Sequence, residues 1–178
     1  MLKYLLCIIP LVYGFELIER YSPTVYKELT FCNNIDPILR ETTNNVINDI
    51  NKYKILYLSL HDNKTIKSNT NDNINSICSF DNYAGSFGYT SFYDNNYETD
   101  ISISRRLFNT KNTLHNVVKH EILHSVGLNH TYENGLMNYS LRLDRYGRVL
   151  EDYTKWYMSL DDIQGLRFIR RKKCDFTI

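Results

Sequence analysis

From residue 120 the chain reads His120-Glu121-Ile122-Leu123-His124-Ser125-Val126-Gly127-Leu128-Asn129-His130, and no other stretch restricts its folding so tightly. His120 and His124 are four residues apart, so on an α-helix both imidazoles leave the same face. Gly127 follows His124 by one turn, and a residue without Cβ can end a helix there in a left-handed conformation and swing the chain back. That turn brings His130 alongside the other two. Three neutral imidazoles leave one tetrahedral position of a zinc ion for water, which is the catalytic arrangement and not the closed structural one. Glu121 lies one residue round the helix from His120. Its carboxylate can reach a zinc-held water as general base without becoming a ligand. A bare pair of histidines with a glutamate is common on solvated helices; here five fixed positions agree.

These residues resemble the long zinc motif of the metzincin endopeptidases, HExxHxxGxxH, at all five fixed positions. The resemblance implies an α+β catalytic domain: a mixed twisted sheet with a long helix and an active-site helix, then a small C-terminal subdomain holding a Met-turn and a final helix. Gly135-Leu136-Met137-Asn138-Tyr139 matches that turn. Met137 would form an apolar floor beneath the imidazoles without binding the metal. Tyr139 is a candidate oxyanion stabiliser by the same likeness; on its own it reads as a pocket-lining or loop-packing tyrosine. Leu160-Asp161-Asp162-Ile163-Gln164-Gly165-Leu166 is similar to the C-terminal helix signature of the matrixins, the matrix metalloproteinases. In that family the aspartate pair ties the final helix to the Met-turn and to the mature N-terminal amine. The residues alone read as an acidic cluster opening a helix.

The departures from matrixins matter as much. Outside the motif only His61 and His115 remain, too few for the family's second, structural zinc, so one Zn2+ per chain is expected. Ca2+ is compatible with the resemblance but has no derivation from these residues. A cysteine-switch propeptide is not expected, nor is an accessory domain after the final helix.

Lys3 followed by the apolar run Tyr4 to Tyr13, with small residues at Val12 and Gly14, reads as a cleavable signal over residues 1–14. The run is too short to span a bilayer, so no stable membrane anchor is expected. Residues 15–178 then form one catalytic domain, with the N-terminal subdomain reaching to about 127 and the C-terminal one spanning about 128–178. Hydrophobic residues make up 43% of the chain, enough for a core without help from a partner, and a monomer is expected. The formal charge of +1 and the lack of a basic-aromatic face outside the last helix speak against nucleic acid. In an extracellular setting Cys32, Cys78 and Cys174 give one bridge and one spare thiol. The pairing stays open, although Cys32 or Cys78 with Cys174 would tie the C-terminus to the body.

Glu28 to Cys32 suggests a first strand, and Asp36-Pro37 an N-cap with proline at the first helical position. The helix that follows should bury Ile38, Leu39, Val46, Ile47 and Ile50 and end near Tyr53. Ile55 to Leu60 reads as a central strand, His61 to Ser76 as a polar surface loop, and Ser86 to Tyr93 and Asp100 to Ser104 as further strands. Ser86 to Ser91 is the candidate edge along which an extended substrate pairs, or else an ordinary covered edge. The active-site helix should start near Asn112 or Thr113 and pack through Leu114, Val117, Val118 and Ile122. His115 lies off the ligand face. Asn116 matches the place that in matrixins helps set the depth of the main specificity pocket. The basic run from Arg167 to Lys173 complements a helix C-terminus, or else meets an anionic surface.

These readings make the chain a secreted zinc metalloendopeptidase acting on protein or peptide substrates. The rival is a secreted binding protein that keeps a zinc-stabilised shell and cuts nothing.

Overall fold

The computed structural model describes residues 17–18, 26–61, 75–81, 87–93, 98–131, 135–138 and 158–174. Strand β1 (Tyr26–Phe31) leads through helix α1 (Pro37–Lys52) to β2 (Tyr57–His61), which pairs parallel with β1. This is a βαβ unit, the usual way to join parallel neighbours. Strands β3 (Asn75–Phe80), β4 (Gly88–Phe92) and β5 (Thr99–Ser104) complete a sheet ordered β2-β1-β3-β5-β4. All pairs are parallel except β4 with β5, so the sheet is mixed and ends in one antiparallel edge. A 3-10 turn (Arg105–Leu107) then feeds α2 (Lys111–Ser125), and α3 (Leu160–Cys174) closes the described chain.

Local chemistry explains the first helix. Asp36 caps α1, its carboxylate accepting from the Ile38 N–H at 2.8 Å. Pro37 opens the first turn, where its missing N–H is harmless. Leu39, Thr43, Val46, Ile47 and Ile50 are buried. Ile38, expected in this stripe, is instead exposed, because the first turn points it away from the other helix residues that meet the core. Helices α1 and α2 pack on each other, α1 reaching β2 and α2 reaching β4 and β5. Leu29, Phe31, Ile77, Ile101 and Ile103 from the sheet meet Leu114, Val118 and Ile122 from α2 in one core.

Two strand expectations need correction. The Ile55 to Leu60 run forms an edge strand, not a central one. The burial of β2 fits that place, with only Leu58 buried and the other four strand residues half-buried or exposed. The centre belongs to β3, read from sequence as the end of a loop and its sequel because Asn75, Ser76, Cys78 and Ser79 hide the strand period. Its polar groups are used. Asn75 donates to the Glu28 carbonyl at 3.1 Å and accepts from the Thr99 N–H at 3.1 Å, tying together the two flanking strands; Ser76 donates to Asp100.

Cys32, just past β1, is bonded to Cys78 in β3, with 5.1 Å between the two Cα atoms. One bridge was expected. The pairings through Cys174 are replaced because adjacent strands already place Cys32 and Cys78 within disulfide reach.

Candidate metal centre

Helix α2 begins at Lys111 with Thr110 as cap residue, slightly ahead of the expected Asn112 or Thr113, and the Thr110 side chain makes no capping bond. It ends at the position the histidine spacing requires. Gly127 N–H donates to the His124 carbonyl at 2.8 Å and Leu128 N–H to the Leu123 carbonyl at 3.2 Å. These are the two bonds of a Schellman turn. Gly127 has φ 110°. Side chains resist that conformation, so the turn depends on glycine. Lys27 reaches from β1 to donate to the Ser125 carbonyl at 2.5 Å, placing an amine at the negative end of the helix dipole. Burial lowers that amine to a pKa of about 7. Residues 17–18 brace the same turn, with Leu17 bridged to Leu128 and Ile18 N–H donating to the Gly127 carbonyl at 3.0 Å.

The turn delivers His130 to the other two imidazoles. Nε2 of His120 lies 3.0 Å from Nε2 of His124 and 3.3 Å from that of His130, while His124 and His130 are 3.1 Å apart. The opposite nitrogens settle the tautomers of the helical pair. Nδ1 of His120 is 2.6 Å from the Leu136 carbonyl and Nδ1 of His124 is 2.7 Å from the Leu128 carbonyl. A carbonyl only accepts, so both Nδ1 atoms carry the proton and both Nε2 atoms present bare lone pairs. Lone pairs converging at 3.0 Å repel unless a cation lies between them. Zinc bound at about 2.0–2.1 Å with tetrahedral angles sets its nitrogen ligands roughly 3.3–3.4 Å apart, close to the spacing seen. Burial reinforces the neutral state, holding His120 at about 3 and His124 at about 4, against an ordinary 6.5, and His130 is lowered by the same cause. These three residues fit one zinc ion, and the carbonyls behind His120 and His124 orient those two imidazoles.

Glu121 is buried and stands apart from the histidine cluster, facing β4. Burial raises its carboxyl to a pKa of about 7, opposed by a hydrogen bond from Thr90. The Thr90 hydroxyl lies 2.7 Å from Glu121 Oε2 and 3.0 Å from the Glu121 carbonyl. Gly88 completes the seat, since a Cβ there would fall 3.0 Å from Glu121 Oε1 and 2.9 Å from Val117. Sequence reasoning placed this strand as the edge along the cleft but missed Thr90. The signal was its place on that edge strand, opposite the helix, although a threonine in a strand is unremarkable by itself.

Downstream, Thr131 N–H donates to the Met137 carbonyl at 2.8 Å, and Leu136 and Met137 are fully buried. The Leu136 peptide is a junction. Its carbonyl accepts from His120, and its N–H is among the hydrogen bonds that hold down the Asp162 carboxyl, which burial otherwise raises. Asp162 also accepts from the Ser159 N–H at 2.7 Å, while its own N–H donates to Ser159 Oγ at 3.1 Å, a reciprocal cap for α3. Asp162 thus caps the helix, as the residues alone suggest, and ties that helix to the turn behind His120. Gly135 permits the approach, for a Cβ there would lie 2.7 Å from Ser159 Cβ.

His115 is off the cluster, as expected, with Nε2 3.1 Å from Asp49 Oδ2 on α1. Asn116 is buried in α2. Tyr139 and Ser86 lie outside the described residues.

No protein-family model and no curated protein sequence matches the chain. Among solved structures it is similar to an archaemetzincin from Methanopyrus kandleri, with a TM-score of 0.55 and 16% identity over 87% of this chain and 99% of that one. At that identity the likeness speaks for the fold alone. A five-stranded mixed sheet, three helices among the described residues and a three-histidine centre suited to one zinc ion thus make up a metzincin-like architecture.

Proposed function

We propose that this chain is a zinc-dependent metalloendopeptidase, secreted and monomeric, that hydrolyses peptide bonds of extracellular proteins. The observation that carries the reading is the convergence of the Nε2 atoms of His120, His124 and His130, with a buried carboxyl raised to about 7 at the residue after His120, Glu121. His120, His124 and His130 hold the metal. Zinc, when bound, supplies a Lewis acid that acidifies water and polarises a peptide carbonyl. Glu121 takes a proton at its carboxylate from the attacking water and returns it to the leaving amine. A base with a pKa near the working pH suits both transfers. Thr90 holds the carboxylate in place, and Met137 serves as the apolar floor. Tyr139 is assigned the hydrogen bond to the developing oxyanion.

Strand β4 supports a substrate-pairing role, being the antiparallel edge of the sheet with no further strand beside it among the described residues. An extended peptide added there would gain main-chain bonds from the strand that also carries Thr90. The Ser159–Asp162–Leu136 linkage supports the matrixin-like arrangement suggested by Leu160 to Leu166. The signal-like residues 1–14 and the Cys32–Cys78 bridge favour an extracellular setting. We assign residues 15–178 to a single catalytic domain.

The test is incubation of the zinc-loaded chain with a mixture of peptides, with and without a zinc chelator, reading new termini by mass spectrometry. Chelator-sensitive cleavage is expected. Folded, zinc-loaded protein that yields no new termini would move the reading to a binding protein of the same fold.

A further inference from the structure

Where α1 ends, the backbone does something a lysine rarely does. Lys54 has φ 55°. This is the left-handed region that a helix C-terminus usually gives to glycine or asparagine. The Lys54 N–H donates to the Asn51 carbonyl at 3.0 Å, and its own carbonyl accepts from Arg170 Nη1 on α3 at 2.5 Å. Between these two elements lies a cavity of about 490 Å3 lined by Tyr53, Lys54, Ile55, Arg167, Arg170 and Arg171. That volume falls within the roughly 300–1,000 Å3 usual for small-ligand sites. Four of the six lining residues are cations and none is an acid.

Helix-dipole complementation does not account for the arrangement. The dipole acts within the last turn, and Arg167 stands about two turns before the end of α3 at Cys174. Spacings of three and four residues place Arg167, Arg170 and Arg171 on one helical face, where like charges repel. The chain carries a net charge of only +1, so this concentration of cations is local. Guanidinium groups present flat donor forks that match phosphate and sulfate oxygens two at a time. The Lys54 carbonyl orients one such fork, that of Arg170. Tyr53, 44% exposed at the rim, adds a ring face, and buried Ile55 an apolar floor.

We propose that the cavity between the end of α1 and α3 binds a small multivalent oxyanion, two or more phosphate or sulfate esters carried on one ring-sized scaffold. The site shares no residue with the histidine centre, so it stands or falls independently of peptidase activity.

The experiment is isothermal titration of the zinc-loaded full chain, at low ionic strength, with inositol trisphosphate and with a trisulfated heparin disaccharide. One site per chain is expected for at least one probe, and the tighter of the two identifies phosphate or sulfate esters as the source. Replacing Arg167→Ala together with Arg171→Ala should weaken binding about 100-fold, roughly tenfold for each charge-assisted contact. Arg105→Ala, which removes an exposed arginine paired with Asp81 far along the sequence, should change nothing. If the double variant melts early, Arg171→Glu alone, which spares the Arg170 bond to Lys54, should weaken binding at least tenfold. Absence of binding by both probes overturns the proposal. So does an Arg105→Ala loss equal to that of the double variant, or unchanged binding in Arg171→Glu.

Discussion

Helices α1 and α2 are nearly equal in length, 16 and 15 residues, and they pack against each other, yet they are built on opposite terms. Helix α1 buries five residues in one stripe, four of them aliphatic, and keeps the rest half-buried or exposed. Helix α2 buries twelve residues, among them Asn116, Lys119, His120, Glu121 and His124. A helix that only needs to be stable follows the first plan, since each buried aliphatic side chain contributes about 1.5–3 kcal/mol. Burying imidazoles and a carboxyl brings no such return unless something compensates their lost hydration. In α2 the compensation is specific: the Leu136 and Leu128 carbonyls, the Thr90 hydroxyl, and a place for a cation among the Nε2 atoms. The contrast teaches that one helix stores stability and the other stores chemistry.

The sharpest way to break that contrast is at Glu121. Glu121→Ala should keep its zinc, because the three imidazoles are untouched, and lose about 10²- to 10⁴-fold in kcat, the usual share of a general base. Zinc content and turnover measured on one preparation decide it, and retained turnover would remove Glu121 from its role. In α1 the reverse outcome is expected. Leu39→Ala should destabilise the fold by about 2–5 kcal/mol in denaturant titration while the folded fraction keeps its zinc affinity; a loss of zinc affinity would show that the helices are not separable in this way.

Acid should also distinguish the two helices. His120 at about 3 and His124 at about 4 sit below their ordinary 6.5, so between about pH 6.5 and 4.5 the unfolded chain binds two protons that the folded chain refuses. Glu121, raised to about 7, works the other way with one proton held only in the folded state. His130 is lowered as well, so the imidazoles outweigh Glu121. The zinc-free protein should therefore lose stability as pH falls through this window, read from melting curves. A flat profile would mean the imidazoles are more hydrated than their burial implies. The smallest effect is expected for Thr90→Val. Removing the hydroxyl should lower kcat by roughly tenfold and move the acidic limb of the rate profile upward, since the lost bond favoured the carboxylate. An unmoved limb would reduce Thr90 to packing.

Legibility followed the same divide. Helix α1 could be read from Asp36, Pro37 and its aliphatic stripe because those cues are local. The histidine spacing and Gly127 foretold the centre, since a helix period and one left-handed residue determine it. Strand β3 was hidden because Asn75 and Ser76 find their partners only on strands that are distant in sequence. The edge position of β2 and the choice of Cys78 as partner for Cys32 were hidden for the same reason: both depend on strand order, which no local pattern encodes. Thr90 and the double duty of Asp162 are likewise products of assembly.

Under the proposed function, helix α2 buries polar groups in order to hold one catalytic zinc. X-ray absorption at the zinc edge of the loaded chain tests it most directly. One zinc per chain with four nitrogen or oxygen neighbours at about 2.0–2.1 Å and the outer-shell scattering of three imidazoles is the expected spectrum. A chain that binds no stoichiometric zinc, or holds it through sulfur or four protein ligands, would contradict the account.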